Sequence, residues 1–335
     1  MNHLILMHMA DGLISIPLGI VFFILSAIFF IVSIKNIYDK HDESKIPMMA
    51  VMGAFVFAGQ MINFTIPATG SSGHIGGGIL LCLILGQYPA FLSLCCVLII
   101  QCLFFGDGGL LALGCNIFNM GVLPCFVAYP LIIKPLLKRH MNRKGIMLSS
   151  LLGVITGLEL GAFFVVIETI LSGVTTLSFV PFLSLMLPIH FAIAIVEGVI
   201  TGAIVLYVYK QSPQMLDCAL FEQSYQHLSV KKLVVTFALL SICIGGGLSL
   251  YASSHPDGLE WSIEGLLGSS EIEYNDETKK AIKQVQETTS ILPDYQFNNS
   301  EVPLGTSTAG IVGIAFTLVL VGAIGYCVTK KGKHE

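Results

Sequence analysis

Long uninterrupted apolar runs set the first limit on this chain. Gly12 to Ile34 and Ile146 to Leu171 contain no lysine or arginine, and each meets the roughly 20-residue length needed to cross about 30 Å of hydrocarbon. Backbone groups in lipid must be satisfied within their own segment, so such runs are helices and the fold class is all-α. Only 11% of residues are charged and 54% are hydrophobic, whereas soluble domains carry about a quarter charged residues. Water-soluble classes are excluded, and a lipid bilayer is the expected surrounding. A net charge of -4, with no basic cluster interleaved with aromatics, gives no footing for nucleic acid.

Apolar segments fall near 13–34, 47–66, 74–86, 88–105, 110–133, 146–171, 181–208, 233–251 and 308–329. The expected architecture is a polytopic bundle of about nine spans, seven followed by two. The third segment is short and glycine-rich, which in a membrane points to close packing or a water-filled cavity instead of lipid contact. Gly153, Gly157 and Gly161 recur every four residues, as do Ala194, Gly198 and Gly202, and each stripe predicts a close helix contact. With no lysine or arginine ahead of the first run, that run is expected to remain as a span and not to be removed as a signal peptide. The nine cysteines are scattered and none falls within 252–308, so no disulfide framework is indicated.

Short connections holding Lys35, Lys40 and Lys45, then Lys134 to Lys144, then Lys210 to Lys232, and the tail from Lys330 are cation-rich. By the positive-inside rule they are cytoplasmic. A nine-span path then puts the N-terminus outside and the C-terminus inside, in a prokaryotic cell membrane. The acidic stretch 253–307 is expected to be an external loop domain between the last two spans.

Two histidines are brought to the same outer side by this topology: His8, before the first span, and His74, opening the third. Imidazole suits nickel, copper, zinc and cobalt, and a planar set of nitrogens favours nickel(II) or copper(II). If translation starts at Met7, a free amine and the next amide nitrogen sit beside the His8 ring, and His74 can act as fourth donor. The competing reading is an interfacial His8 and a helix-capping His74. Met1-Asn2-His3 is a further arrangement of amine, amides and imidazole, read as coincidental. Asp11 has two readings, as the carboxylate that fixes the His8 tautomer or as the cap of the first helix. His190 and Glu197 share one face of the seventh span, and intramembrane ionisable groups default to functional hypotheses. Structural support of the outer site is an equal reading for them. Glu159 and Glu168 are undecided. Asp107, between glycines, reads as a turn residue.

Five ordered motifs now reach a resemblance: M-H-M-A-D-G-L-I-S (Met7 to Ser15), Q-M-I-N-F-T-I-P (Gln60 to Pro67), S-G-H-I-G-G-G (Ser72 to Gly78), F-G-D-G-G-L-L-A-L-G (Phe105 to Gly114) and L-P-I-H-F-A-I-A-I-V-E-G (Leu187 to Gly198). They resemble the CbiM/NikM family, the substrate-binding component of energy-coupling factor transporters for cobalt and nickel. P-D-G-L-E (Pro256 to Glu260) and L-P-D-Y (Leu292 to Tyr295) look like the small CbiN/NikN accessory component. The resemblance implies a fusion: an extension at 1–6, a metal-binding membrane domain at 7–210, a cytoplasmic linker at 211–232 and an accessory domain at 233–335. It implies metal ligands at Met7, His8 and His74, with Gln60 and Asn63 supporting them. Six residues precede the Met-His pair, and an internal amide cannot replace a terminal amine, so a start at Met7 or removal of the extension is expected.

The sequence holds no G-x-x-x-x-G-K-[ST] motif, so no P-loop binds ATP. The resemblance implies that partner ATPase subunits and a membrane coupling (T) subunit supply the driving force, with nickel(II) as cargo and cobalt(II) as runner-up. A transport component and not an enzyme is expected. The rivals are a secondary cation carrier and an intramembrane metal enzyme using His190 and Glu197; the latter lacks H-E-x-x-H.

Overall fold

Residues 8–40, 42–269, 276–297 and 303–331 are described in the computed structural model. A short turn (Asp11–Leu13) leads into α1 (Ile16–Lys40). Ile20, Ile24, Ile28 and Ile31 of α1 stay exposed, the apolar stripe that a lipid-facing helix presents. Its other face packs on the chain near Gly114, where Ser26 Oγ donates to the Gly114 carbonyl at 2.7 Å. After α1 comes α2 (Ile46–Gln60), with thirteen of fifteen residues buried. At about 1.5 Å per residue it is a short central rod that neighbouring helices shield from lipid.

The second expected span was to run to residue 66, but the helix ends at Gln60. Pro67 restricts the residue before it to extended backbone, and the chain turns into a two-stranded ribbon, β1 (Phe64–Thr65) antiparallel to β2 (Ser72–Gly73). His74 follows in extended backbone, and α3 (Gly78–Leu85) begins four residues later, every residue of it buried. A wholly interior α3 is what a short glycine-led segment permits. Then come α4 (Gln87–Ile100), extended by a π-helical turn to Phe105, and α5 (Leu113–Ile117), a π-helical stretch (Phe118–Ile133) and α6 (Lys134–Arg139). Pro124 and Pro130 interrupt the hydrogen-bond ladder of that stretch, which accounts for the wider winding.

Both small-residue stripes lie at interfaces. Gly157 and Gly161 of α7 (Arg143–Ser172) face Pro124 and the Asn119 carbonyl, and Gly198 and Gly202 of α8 (Phe179–Gln211) face Leu151 and Met147 of α7. A brief α9 (Pro213–Leu220) leads to α10 (Lys231–Gly246), whose Gly245 lies against the backbone of Gly310. The acidic segment after α10 carries helices among its described residues: α11 (Gly258–Leu267) and α12 (Glu277–Thr289) precede a turn at Pro293–Tyr295, and α13 (Pro303–Lys331) returns along α2 and α10.

Among the described residues six helices are long and apolar enough to cross a membrane: Ile16–Lys40, Gln87–Phe105, Leu113–Arg139, Arg143–Ser172, Phe179–Gln211 and Leu304–Lys330. The other three expected spans are α2, α3 and α10, of 15, 8 and 16 residues. At one end of the bundle Lys40 and Lys134 meet Glu222 at 2.5 and 2.9 Å. His8 and His74 lie at the other, with α1 between the two.

Candidate metal centre

The first described residues are pinned by chain-distant partners. Met9 N donates to Asn116 Oδ1 at 3.0 Å and Asn116 Nδ2 donates back to the Met9 carbonyl at 3.1 Å. Gly109 N donates to the same carbonyl at 2.9 Å. Such close approach needs glycine: a Cβ at Gly109 would lie 1.9 Å from Asp11 Oδ1, and Gly108, at φ +79, abuts the His8 Cβ. F-G-D-G-G therefore lets two backbones touch and delivers Asp107 beneath the His8 ring.

His8 Nδ1 lies 2.9 Å from Asp107 Oδ1, with both side chains 1% exposed. Burial alone lowers the His8 pKa, but Asp107 overrides it and holds the ring above its ordinary value. Burial likewise raises Asp107, and His8 with Tyr295 reverses this, leaving its carboxyl below the usual range. His8 Nε2 is buried without a hydrogen-bond partner. The His74 ring stands 5.6 Å away, centroid to centroid, tilted by 53°.

The His74 loop is fixed from below. Glu197 accepts from Gly76 N at 2.8 Å and Gly77 N at 2.9 Å. Gln60 Nε2 donates to the Gly76 carbonyl at 3.0 Å, and Gln101 Nε2 to Gln60 Oε1 at 2.9 Å. His190 pairs through Nδ1 with the Met186 carbonyl at 2.8 Å. His8, His74, Asn116, Asn119, His190, Glu197 and Asp257 share the walls of a cavity of about 120 Å³. Asp257 caps α11, accepting from Glu260 N at 2.8 Å; burial pushes its carboxyl above the usual range despite that amide and the nearby His74.

Of the residues singled out from sequence, His8, His74, His190 and Glu197 line this cavity, and Gln60 reaches the His74 loop from behind through the Gly76 carbonyl. Met7 lies outside the described residues. Asp11 is not the partner of the His8 ring: its carboxylate accepts from Ala112 N at 3.0 Å, because Gly109 draws that backbone against it, and Asp107 takes the place beside His8. Asn63 does not line the cavity; its carbonyl accepts from Ser253 N at 2.7 Å. Glu168 is buried and accepts from Asn119 Nδ2 at 2.8 Å. Among the described residues no group of three or more His, Cys, Asp or Glu is placed to hold a metal, so two imidazoles are what the described side chains offer. Sequence reading missed Asp107 as a pairing residue, and also Asn116, Gln101, Asp257 and Tyr295. Their one signal was position inside or beside the quoted motifs.

Comparison with known proteins fits this geometry. A family model described as CbiM, cobalt uptake substrate-specific transmembrane region, matches residues 8–215, and a PDGLE domain matches 231–330. A fused nickel transport protein NikMN of Archaeoglobus fulgidus is 30% identical over 97% of this chain and 98% of its own. A metal transport protein of Methanocaldococcus jannaschii is 33% identical but covers only 62% of this chain, and 94% of its own. A crystal structure of a truncated transition metal transporter aligns at TM-score 0.53 with 32% identity, over 61% of this chain and 99% of that one. Helices, site and relatives together define a multi-pass membrane transport component. The chain belongs to the CbiM family, in the fused form that carries a PDGLE domain at its C-terminal end.

Proposed function

We propose that the chain is the substrate-capture component of an ATP-driven energy-coupling factor uptake system for nickel(II). The observation that carries this reading is the His8 and His74 rings 5.6 Å apart on one cavity wall, at the point where the chain arrives from Met7. The amine of Met7, the His8 amide and the two imidazoles make a four-nitrogen set suited to nickel(II). Gln60 and Glu197 hold the His74 loop, and His190 lines the same cavity. The reading requires a chain whose amine is at Met7.

Nickel is preferred over cobalt because the relative that spans nearly the whole chain is named for nickel, although relatives named for cobalt match the first part. Partner ATPase subunits and a membrane coupling (T) subunit supply the energy. The chain divides at 7–210, 211–232 and 233–335, in line with the two matched regions. It crosses about nine times, the shielded α2 and α3 completing the interior, with the histidine end outside and the Lys40 and Lys134 end in the cytoplasm. A stand-alone cation carrier is the alternative, and it predicts uptake without ATPase subunits.

Intact mass and elemental analysis of the purified protein test the site together. Nickel on a chain beginning at Met7 is expected, and His74→Ala should lower nickel retention at least a hundredfold while the protein stays membrane-inserted. Undiminished nickel on the His74→Ala protein, or metal on a chain beginning at Met1, refutes the site.

A further inference from the structure

The outer segment of the PDGLE domain reaches into the metal centre. Tyr295 Oη donates to Asp107 Oδ2 at 2.7 Å, on the carboxylate whose other oxygen faces His8 Nδ1. Its ring is stacked on Phe105 at 4.8 Å with an interplanar angle of 12°. The backbone around it is unusual: Asp294 and Tyr295 both lie in the left-handed region, at φ 53 and 58. A bulky residue there is an outlier, and such conformations persist only where the surroundings over-determine them. The surroundings do so here. Ile291 N and Leu292 N donate to the Phe104 carbonyl, and Gln286 Nε2 donates to the Gly108 and Cys102 carbonyls at 2.7 and 3.0 Å.

We propose that Tyr295 is a positioning residue of the metal centre, holding Asp107 in place while His8 passes from that carboxylate to the captured ion. This rests on the metal-capture reading above. An ion bound to the His8 amide nitrogen can reach only Nδ1 of the same ring, closing a chelate ring through Cα, Cβ and Cγ; Nε2 points away. Nδ1 is the atom now beside Asp107, where its N–H faces the carboxylate, so capture exchanges that N–H bond for the bond to the ion, the ring proton ends on Nε2, and the His8 amide proton is released to solvent water. The carboxylate stays buried and has given up one pairing. The Tyr295 hydroxyl then matters more in the loaded state than in the free one, and its loss weakens capture.

The test is nickel affinity of the full-length protein by equilibrium dialysis with elemental analysis. Tyr295→Phe keeps the ring on Phe105 and removes only the hydroxyl. Because the bond is present with and without the ion, only its strengthening on capture enters the affinity, and about three- to tenfold weaker nickel binding is expected. In an Asp107→Asn background the same substitution should change affinity by less than about twofold, because the charge it serves is gone. An equal penalty in both backgrounds, or none in the native one, overturns the proposal. If Asp107→Asn binds too weakly to measure, Gln286→Leu replaces it as comparison: it frees the Gly108 and Cys102 carbonyls but leaves the Tyr295 hydroxyl on Asp107, and it should lower the melting temperature while costing less affinity than Tyr295→Phe. A larger affinity loss for Gln286→Leu reduces Tyr295 to an anchor and overturns the proposal. His74→Ala run alongside separates the two readings. Nickel lost there but unaffected by Tyr295→Phe sinks this inference alone, whereas nickel retained by His74→Ala sinks the site itself.

Discussion

A histidine–carboxylate pair and a lysine–glutamate cluster stand at opposite ends of this bundle, and they are built differently. His8 and Asp107 are 1% exposed. The opposite cluster is open to solvent, with Lys40 37%, Lys134 21% and Glu222 27% exposed. An exposed pair contributes about 0–1 kcal/mol and is screened by salt. A buried pair pays heavily in desolvation and is a poor source of stability, but it fixes where atoms point. The histidine end therefore spends stability on geometry, and the lysine end keeps cations available without committing them.

The comparison breaks first at Glu197. Glu197→Ala leaves the buried Gly76 and Gly77 amides without their acceptors, at about 1–3 kcal/mol each. It should lower the melting temperature and weaken nickel retention ten- to a hundredfold by freeing the His74 loop. Native retention in a dialysis assay would mean that the loop holds itself. A smaller effect is expected at Asp294, where burial, then the Asp107 charge, pushes the carboxyl up to about 6. A folded value above the unfolded one, about 3.9, means that its contribution to docking is full below that lower value and lost as pH rises through about 6. Protection of the Ile291 and Leu292 amides from hydrogen exchange should thus fall between pH 4 and 7. Asp294→Asn should flatten that slope and tighten docking at pH 7 by about 1 kcal/mol, discounted for partial exposure; an unchanged slope assigns the pH dependence elsewhere. The smallest effect belongs to Glu222→Gln, under about 1 kcal/mol by thermal unfolding and vanishing in high salt. A salt-insensitive loss there would make the two ends alike.

The long spans were legible because lipid leaves the backbone few options, and the stripes from Gly153 and Ala194 announced their own contacts. The end of the second span was misplaced because hydropathy does not register that Phe64 and Thr65 pair with Ser72 and Gly73 in a ribbon, which the helix ending at Gln60 makes room for. His8 and His74 could be set on one side by counting spans. Asp107 could not be assigned to His8, because the pairing depends on Gly108 and Gly109 admitting another backbone, a contact about a hundred residues distant in sequence. The acidic stretch could be read as a loop domain between the last two spans, but its docking partners could not, for the same reason: Lys279 donates to the Asp11 carbonyl at 3.0 Å, and nothing local to Lys279 says so.

The M. jannaschii relative matches 62% of this chain over 94% of its own length, whereas here the segment bearing Asp257 and Tyr295 is joined covalently to the site it touches. Docking in one chain proceeds at an effective concentration in the millimolar range for a short flexible tether, whatever the number of copies in the membrane. A separate accessory protein would have to be made in matched amounts and find its partner by lateral diffusion. Fusion fixes the stoichiometry at synthesis, and the gap between the ends of α10 and α13, on the histidine side, sets how far the segment can leave.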